Sequence, residues 1–157
     1  VDEHGKQVIQ FKDKYDRVVL KKVQLTASAD TGTGKGHVGW LCTYYLYDDL
    51  GNLRCVIQPR GVELVMAASW ALTDATIIAQ QCFRYEYDNR NRMIRKKVPG
   101  AEEVWMVYDV KDRLIMTQDG KMRSTAEKKW LYMTYDSYNR PVSTGTISDL
   151  YYSTDLY

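Results

Sequence analysis

At 157 residues, 45% of them hydrophobic, the chain has apolar side chains enough for one core and too few for two comfortable ones, so a single domain over residues 1–157 is expected. Its 22 basic side chains nearly balance 20 acidic ones, which excludes the strong field that draws in nucleic acid or an anionic membrane surface. No apolar run approaches the roughly 20 residues of a membrane-spanning helix, the opening VDEHGKQVIQF lacks the apolar centre of a signal peptide, and Cys42, Cys55 and Cys82 have no CxxC spacing that would suggest a disulfide framework or a zinc site.

The 13 tyrosines against 2 phenylalanines favour strands that set a ring on a half-buried surface and a hydroxyl in water. In chain order, the first predicted element is a hairpin with its tip at D-K-Y-D-R-V from Asp13. A glycine-rich polar stretch, SADTGTGKGHVG, follows and reads as a mobile loop. The second hairpin tip is D-D-L-G-N-L from Asp48. Between Val62 and Gln81, turn residues vanish and alanine, leucine and methionine cluster. This predicts a small helical insertion at 62–81, one helix over Val62–Ser69 and a second from Asp74, with Thr73 or Asp74 as N-cap. Three more tips follow: D-N-R-N-R-M from Asp88, D-V-K-D-R-L from Asp109 and D-S-Y-N-R-P from Asp136.

The five tips share a mechanical reading. Tyrosine precedes the aspartate in four of them, as Tyr47, Tyr87, Tyr108 and Tyr135, with Lys12 in the first. A type I turn closed by one left-handed residue needs an acceptor at its first position and a residue tolerant of positive φ at its fourth. The aspartates supply the first, and Asp16, Gly51, Asn91, Asp112 and Asn139 the second. The same geometry sets Tyr47 opposite Leu53, Tyr87 opposite Met93 and Tyr108 opposite Leu114. If partners then step outward one by one, Tyr45 faces Cys55, and Cys42 and Cys55 do not pair within this hairpin. Leu46, Val56, Ile94, Val107 and Ile115 fall on the other faces, so neither side of the strands is purely polar, as in stacked sheets or a closed shell. The expected fold is mainly β: consecutive antiparallel hairpins in a twisted sheet or partial shell, with the helical insertion.

No catalytic, cofactor or metal residues emerge. His4 and His37 lie in separate polar segments without metal-ligand spacing and read as ordinary exposed histidines. Gly32–Gly36, GTGKG, lacks phosphate-loop spacing and a strand leading into it. Arg90, Arg92, Arg95, Lys96 and Lys97 form the densest basic cluster, but strand alternation splits it, so it reads as solvated surface. Trp40, Trp70, Trp105 and Trp130 read as packing between neighbouring repeats, with a sugar platform as the alternative.

The recurring Y-D-x-x-G-R-L core, with a further tyrosine two residues upstream in Tyr45-Leu-Tyr47-Asp48 and Tyr85-Glu-Tyr87-Asp88, resembles the YD repeats of bacterial Rhs proteins. YYLYDDLGNLRCVIQP, CFRYEYDNRNRMIRKKVPG and MVYDVKDRLIMTQDG carry the resemblance, which extends over residues 8 to 145. The inserted helices resemble versions in large secreted or surface proteins of Bacteroides-type bacteria. The resemblance implies a spiralling β shell around a C-terminal payload, often a toxin, as in polymorphic toxins; other members act in surface contact or carbohydrate binding. Neighbouring repeats of a parent chain, an enclosed toxin domain and a glycan are therefore the implied partners, and secretion or the cell surface the implied location. The chain starts at Val1 without methionine and stops within the pattern, so a fragment of a larger protein is expected. Lys12, Pro141 and the Asp or Asn residues where glycine is usual depart from the family pattern.

Overall fold

The computed structural model describes residues 6–26, 30 and 32–148. Within them the chain forms β1 (Val8–Lys12), β2 (Val18–Gln24), β3 (Trp40–Tyr47), β4 (Leu53–Ile57), α1 (Pro59–Ala67), α2 (Ala75–Gln81), β5 (Cys82–Tyr87), β6 (Met93–Lys97), β7 (Val104–Tyr108), β8 (Leu114–Gln118), α3 (Gly120–Ser124), β9 (Lys129–Tyr135) and β10 (Pro141–Ser148). The strands follow one another in the sheet in chain order. The fold is mainly β and antiparallel, because tight hairpins can only join strands of opposite direction. The chain divides into two compact units, Val1–Arg84 and Tyr85–Tyr157, with the division inside β5. No helix among the described residues is long and apolar enough to cross a membrane.

The first unit buries one face of β1–β5 beneath its helices. Leu20, Trp40, Cys42, Ile57, Val62 and Cys82 form its core, with Phe11, Tyr44 and Met66 packed around them. Leu20, Lys22, Cys42 and Tyr44 share this face because Leu20 pairs with Tyr44 and Lys22 with Cys42, and Ile57 continues it opposite Tyr44. Gly61, Val62 and Val65 are the buried stripe of α1. At Gly61 a Cβ would lie 2.8 Å from Gln81 Cβ and 3.0 Å from Ile57 Cγ2, so glycine is what permits the close helix approach.

In the second unit, Trp130 and Gln118 are buried, and most side chains of β6–β8 are half-buried on both faces. Trp105 and Trp130 meet at 6.4 Å, and the Gln118 amide donates to the Lys129 carbonyl at 3.0 Å. At Gly145 a Cβ would lie 2.8 Å from the ring of Tyr132, its cross-strand partner.

Three sequence expectations change. The insertion begins at Pro59, three residues before the expected Val62. Proline at the first helical position forfeits an N–H that would have no helical partner anyway. The first helix also stops at Ala67, short of Ser69, because Ser69 and Trp70 are left-handed at φ 55° and 66°. The second helix does start after Asp74, whose carboxylate accepts from the Thr76 N–H at 2.7 Å.

The second change is register. Tyr47 faces Leu53 and Tyr108 faces Leu114, but the next pairs are Leu46 with Cys55 and Val107 with Met116. One extra residue, Arg54 or Ile115, bulges beside each turn, and Val19 and Val142 do the same between Phe11/Lys12 and Thr134/Tyr135. A bulge bends the strand and flips every later side chain to the other face. Tyr45 therefore pairs with Val56 rather than Cys55, which separates Val56 from Leu46 and brings Cys55 onto the core face.

Third, the glycine stretch is tied down where the described residues cover it. Lys22, fully buried, pairs with Asp30 and with the Gly36 carbonyl, and its ammonium sits 4.9 Å over the Trp40 ring. A charge with no access to water needs such partners, and here the loop supplies them.

Candidate functional site

The five turns share one hydrogen-bond set. In the fourth hairpin the Asp109 N–H donates to the Arg113 carbonyl at 3.0 Å, and the Asp112 N–H to the Asp109 carbonyl at 3.1 Å. One carboxylate oxygen of Asp109 accepts from the Lys111 and Arg113 N–H groups at 2.8 and 3.0 Å. Asp13, Asp48, Asp88 and Asp136 do the same, with distances of 2.8–3.1 Å. The fourth turn residues Asp16, Gly51, Asn91, Asp112 and Asn139 all have φ between 58° and 88°. A left-handed residue there lets the strands re-pair without splaying.

The other carboxylate oxygen turns outward to the arginine that follows the left-handed residue. Arg17, Arg92, Arg113 and Arg140 each donate from Nε to Asp13, Asp88, Asp109 and Asp136 at 2.7 Å. Asn52 stands in this place in the second hairpin and bonds Asp48 at 3.3 Å. The fixed guanidinium then lies over the tyrosine of the next repeat: Arg17 over Tyr47 at 4.7 Å, Arg92 over Tyr108 at 5.0 Å and Arg113 over Tyr135 at 4.8 Å. That tyrosine's hydroxyl donates back to the first strand residue after the arginine. Tyr47 reaches the Val18 carbonyl at 3.2 Å, Tyr108 reaches Met93 at 2.9 Å and Tyr135 reaches Leu114 at 2.8 Å. Arg92 also reaches the next turn itself, donating to the Asp109 carbonyl at 3.0 Å and to the Asp112 carboxylate at 2.9 Å.

Aspartate, arginine and tyrosine thus form a clamp that joins the first hairpin to the second, the third to the fourth and the fourth to the fifth, with arginine and tyrosine 30, 16 and 22 residues apart. Burial pushes the Asp88 and Asp109 carboxyls up, but the bonds from the arginine side chains and turn N–H groups together outweigh it and hold both below the usual carboxylate range. Burial pushes the Tyr108 hydroxyl up, which keeps it a donor. Sequence reading found the aspartates and tyrosines but gave the arginines no role. Their recurrence directly after the left-handed position was the available signal.

A second feature lies in the first unit. The His37 Nδ1 is 2.7 Å from the Lys35 carbonyl and its Nε2 is 2.9 Å from the Tyr44 hydroxyl. A carbonyl only accepts, so Nδ1 carries a proton, and in the neutral ring Tyr44 donates to Nε2. The Trp70 ring meets Tyr44 edge-on at 5.7 Å and lies tilted to His37 at 5.2 Å. These rings, with Phe11, Leu20 and Lys35, line an open groove of about 520 Å³. Trp70 is 51% exposed, whereas Trp40 and Trp130 are 6% exposed. Its position follows from the end of α1, where the Trp70 N–H donates to the Val65 carbonyl at 2.7 Å across two left-handed non-glycine residues. Each such residue costs about 1–2 kcal/mol relative to ordinary helical backbone. His37, expected as an isolated exposed histidine, is thus half-buried in an aromatic cluster that no sequence spacing indicated.

The remaining candidates resolve into structural contacts. Arg90 pairs with Asp112, Arg92 with Asp88 and Arg95 with Glu86, while Lys97 donates to the Ala101 carbonyl. The glycines of GTGKG carry the loop past Lys22, and His4 lies outside the described residues. The cysteines are free. The Cys55 and Cys82 thiols share a hydrogen bond that, together with burial, pushes Cys55 up; the same bond holds Cys82 down against its burial. Among the described residues no group of three or more His, Cys, Asp or Glu side chains is placed to hold a metal ion.

No family model matches the chain, and no curated protein does. Among solved structures it is similar to the Photorhabdus luminescens Tc holotoxin pore, with a TM-score of 0.64 and 14% identity over 94% of this chain. It is likewise similar to the TcdB2–TccC3 crystal structure, with a TM-score of 0.65 and 15% identity over 92%. The chain spans 6% of the length of either matched chain. At such identity the likeness is one of fold: this chain folds as a short stretch of those toxin-complex chains does.

Proposed function

We propose that residues 1–157 are one domain of Rhs-type YD repeats, a structural and encapsulating segment of a large secreted or cell-surface protein, with no catalysis of its own. Its partners in this reading are the flanking repeats of a parent chain and an enclosed C-terminal toxin domain. The observation that carries it is the Asp–Arg–Tyr clamp. It occupies the most regular polar residues of the chain in joining one hairpin to the next, which is what a repeat scaffold requires. Half-buried strand faces in β6–β8 and likeness to 6% of Tc toxin chains support the same reading. Asp13, Asp48, Asp88, Asp109 and Asp136 act in it as turn formers rather than as acids or bases. The test is limited proteolysis of the parent protein: residues C-terminal to the repeats should resist digestion until the repeat segment is cut. Equal cleavage of both from the start refutes encapsulation.

A second reading, a module that binds glycans or another cell's surface, is favoured by the half-exposed Trp70 beside Tyr44 and His37. Saccharide binding that is lost in Trp70→Ala and kept in Trp130→Phe supports it, and no saccharide binding at all removes it.

A further inference from the structure

We infer that the groove between β3, the glycine loop and the end of α1 is a site for a carboxylate-bearing saccharide, a hexuronate ring stacked on Trp70. The inference rests on the glycan-binding reading and gives it an address and a ligand class.

Three observations point there. The chain holds Ser69 and Trp70 left-handed, and the result of that strain is an indole kept half in water above an apolar groove. Strained backbone of this kind gathers at ligand clamps. Next, neither neighbouring ring lies parallel to the indole, Tyr44 standing at 78° to it and His37 at 59°, and the Trp70 residue as a whole is 51% exposed. A pyranose offers a C–H face for such a surface, and about 520 Å³ lies within the range of small-ligand sites.

Last, the polar groups at the groove select the guest. The Tyr44 hydroxyl spends its proton on His37 Nε2, so its oxygen is left to accept from a sugar hydroxyl. Lys35 is the charged side chain lining the groove, and it favours a carboxylate on the guest. The same ammonium opposes a cationic guest, which an aromatic cage would otherwise suit. Phe11 and Leu20 on the floor match the remaining C–H surface.

The test follows the indole N–H NMR signals of the 157-residue chain during titration with digalacturonate, with cellobiose as the neutral control and uridine monophosphate as the competing anion. Digalacturonate should move the signal that disappears in Trp70→Phe. Trp70→Ala, which lacks that signal and is followed by isothermal titration calorimetry, should weaken its binding about tenfold or more, and Lys35→Gln should remove the preference over cellobiose. Unmoved signals of the other indoles in Trp70→Ala separate loss of the ring from loss of the fold. Cellobiose binding as tightly as digalacturonate overturns the carboxylate assignment and leaves the glycan reading standing. Tighter binding of the nucleotide, or no movement of the Trp70 signal with any probe at millimolar concentration, overturns both.

Discussion

Replacing Tyr108 by phenylalanine deletes one hydroxyl and leaves the ring beneath Arg92. The hydroxyl donates to the Met93 carbonyl at 2.9 Å, from a half-buried position in which burial already favours its neutral form. A net neutral hydrogen bond contributes about 0.5–1.5 kcal/mol, and the Met93 carbonyl would lose its donor, so a cost of about 1 kcal/mol or slightly more is expected. With a urea slope of about 1–3 kcal/mol per molar, the unfolding midpoint should fall by roughly 0.3–1 M. Tyr135→Phe, which loses the 2.8 Å bond to Leu114, should cost the same, and Tyr47→Phe, at 3.2 Å from Val18, somewhat less. Tyr138 supplies the internal control. It occupies a turn, is 78% exposed and belongs to no inter-hairpin bond among the described residues, so Tyr138→Phe should change stability by less than about 0.5 kcal/mol. Urea unfolding followed by far-ultraviolet circular dichroism reads all four. Equal effects of Tyr108→Phe and Tyr138→Phe would refute the clamp as a source of cohesion between hairpins.

Acid should weaken the hairpins. The Asp13, Asp48, Asp88, Asp109 and Asp136 carboxyls lie below their ordinary value, so their contribution is full above the carboxylate range and is lost as pH falls through their folded values. The urea midpoint should drop between about pH 4 and pH 2, with a shallower drop in Asp109→Asn, and a flat profile counts against the argument. Gly61→Ala should cost about 1–3 kcal/mol by overpacking, although alanine is the better helix former; a thermal midpoint at or above that of the parent chain contradicts the packing. Lys22→Met should speed amide exchange at Gly32 and Gly36 by leaving Asp30 without its cation, and Lys22→Met with Asp30→Leu should recover part of the stability. Unchanged exchange in the single variant dismisses the loop anchor.

What the amino-acid sequence determined by itself is local. The turn depends on neighbours within five residues, so aspartate first and Gly, Asn or Asp fourth were enough to place all five hairpins, and Asp74 was enough to place the start of α2. The comparison with Tc toxin structures agrees with that mainly β reading at the level of fold. Register was less legible, because the bulges at Val19, Arg54, Ile115 and Val142, each three residues after the left-handed position, share no residue type that would mark them. Pro59 was a readable start signal for α1 that hydrophobic spacing alone passed over. Contacts between residues distant in the chain belonged to the tertiary structure alone. Arg92 gains its meaning from Tyr108 and Asp112, Lys22 from Asp30 and Trp40, and Trp70 from Tyr44 and His37, because only a folded sheet brings such groups to within a few ångströms.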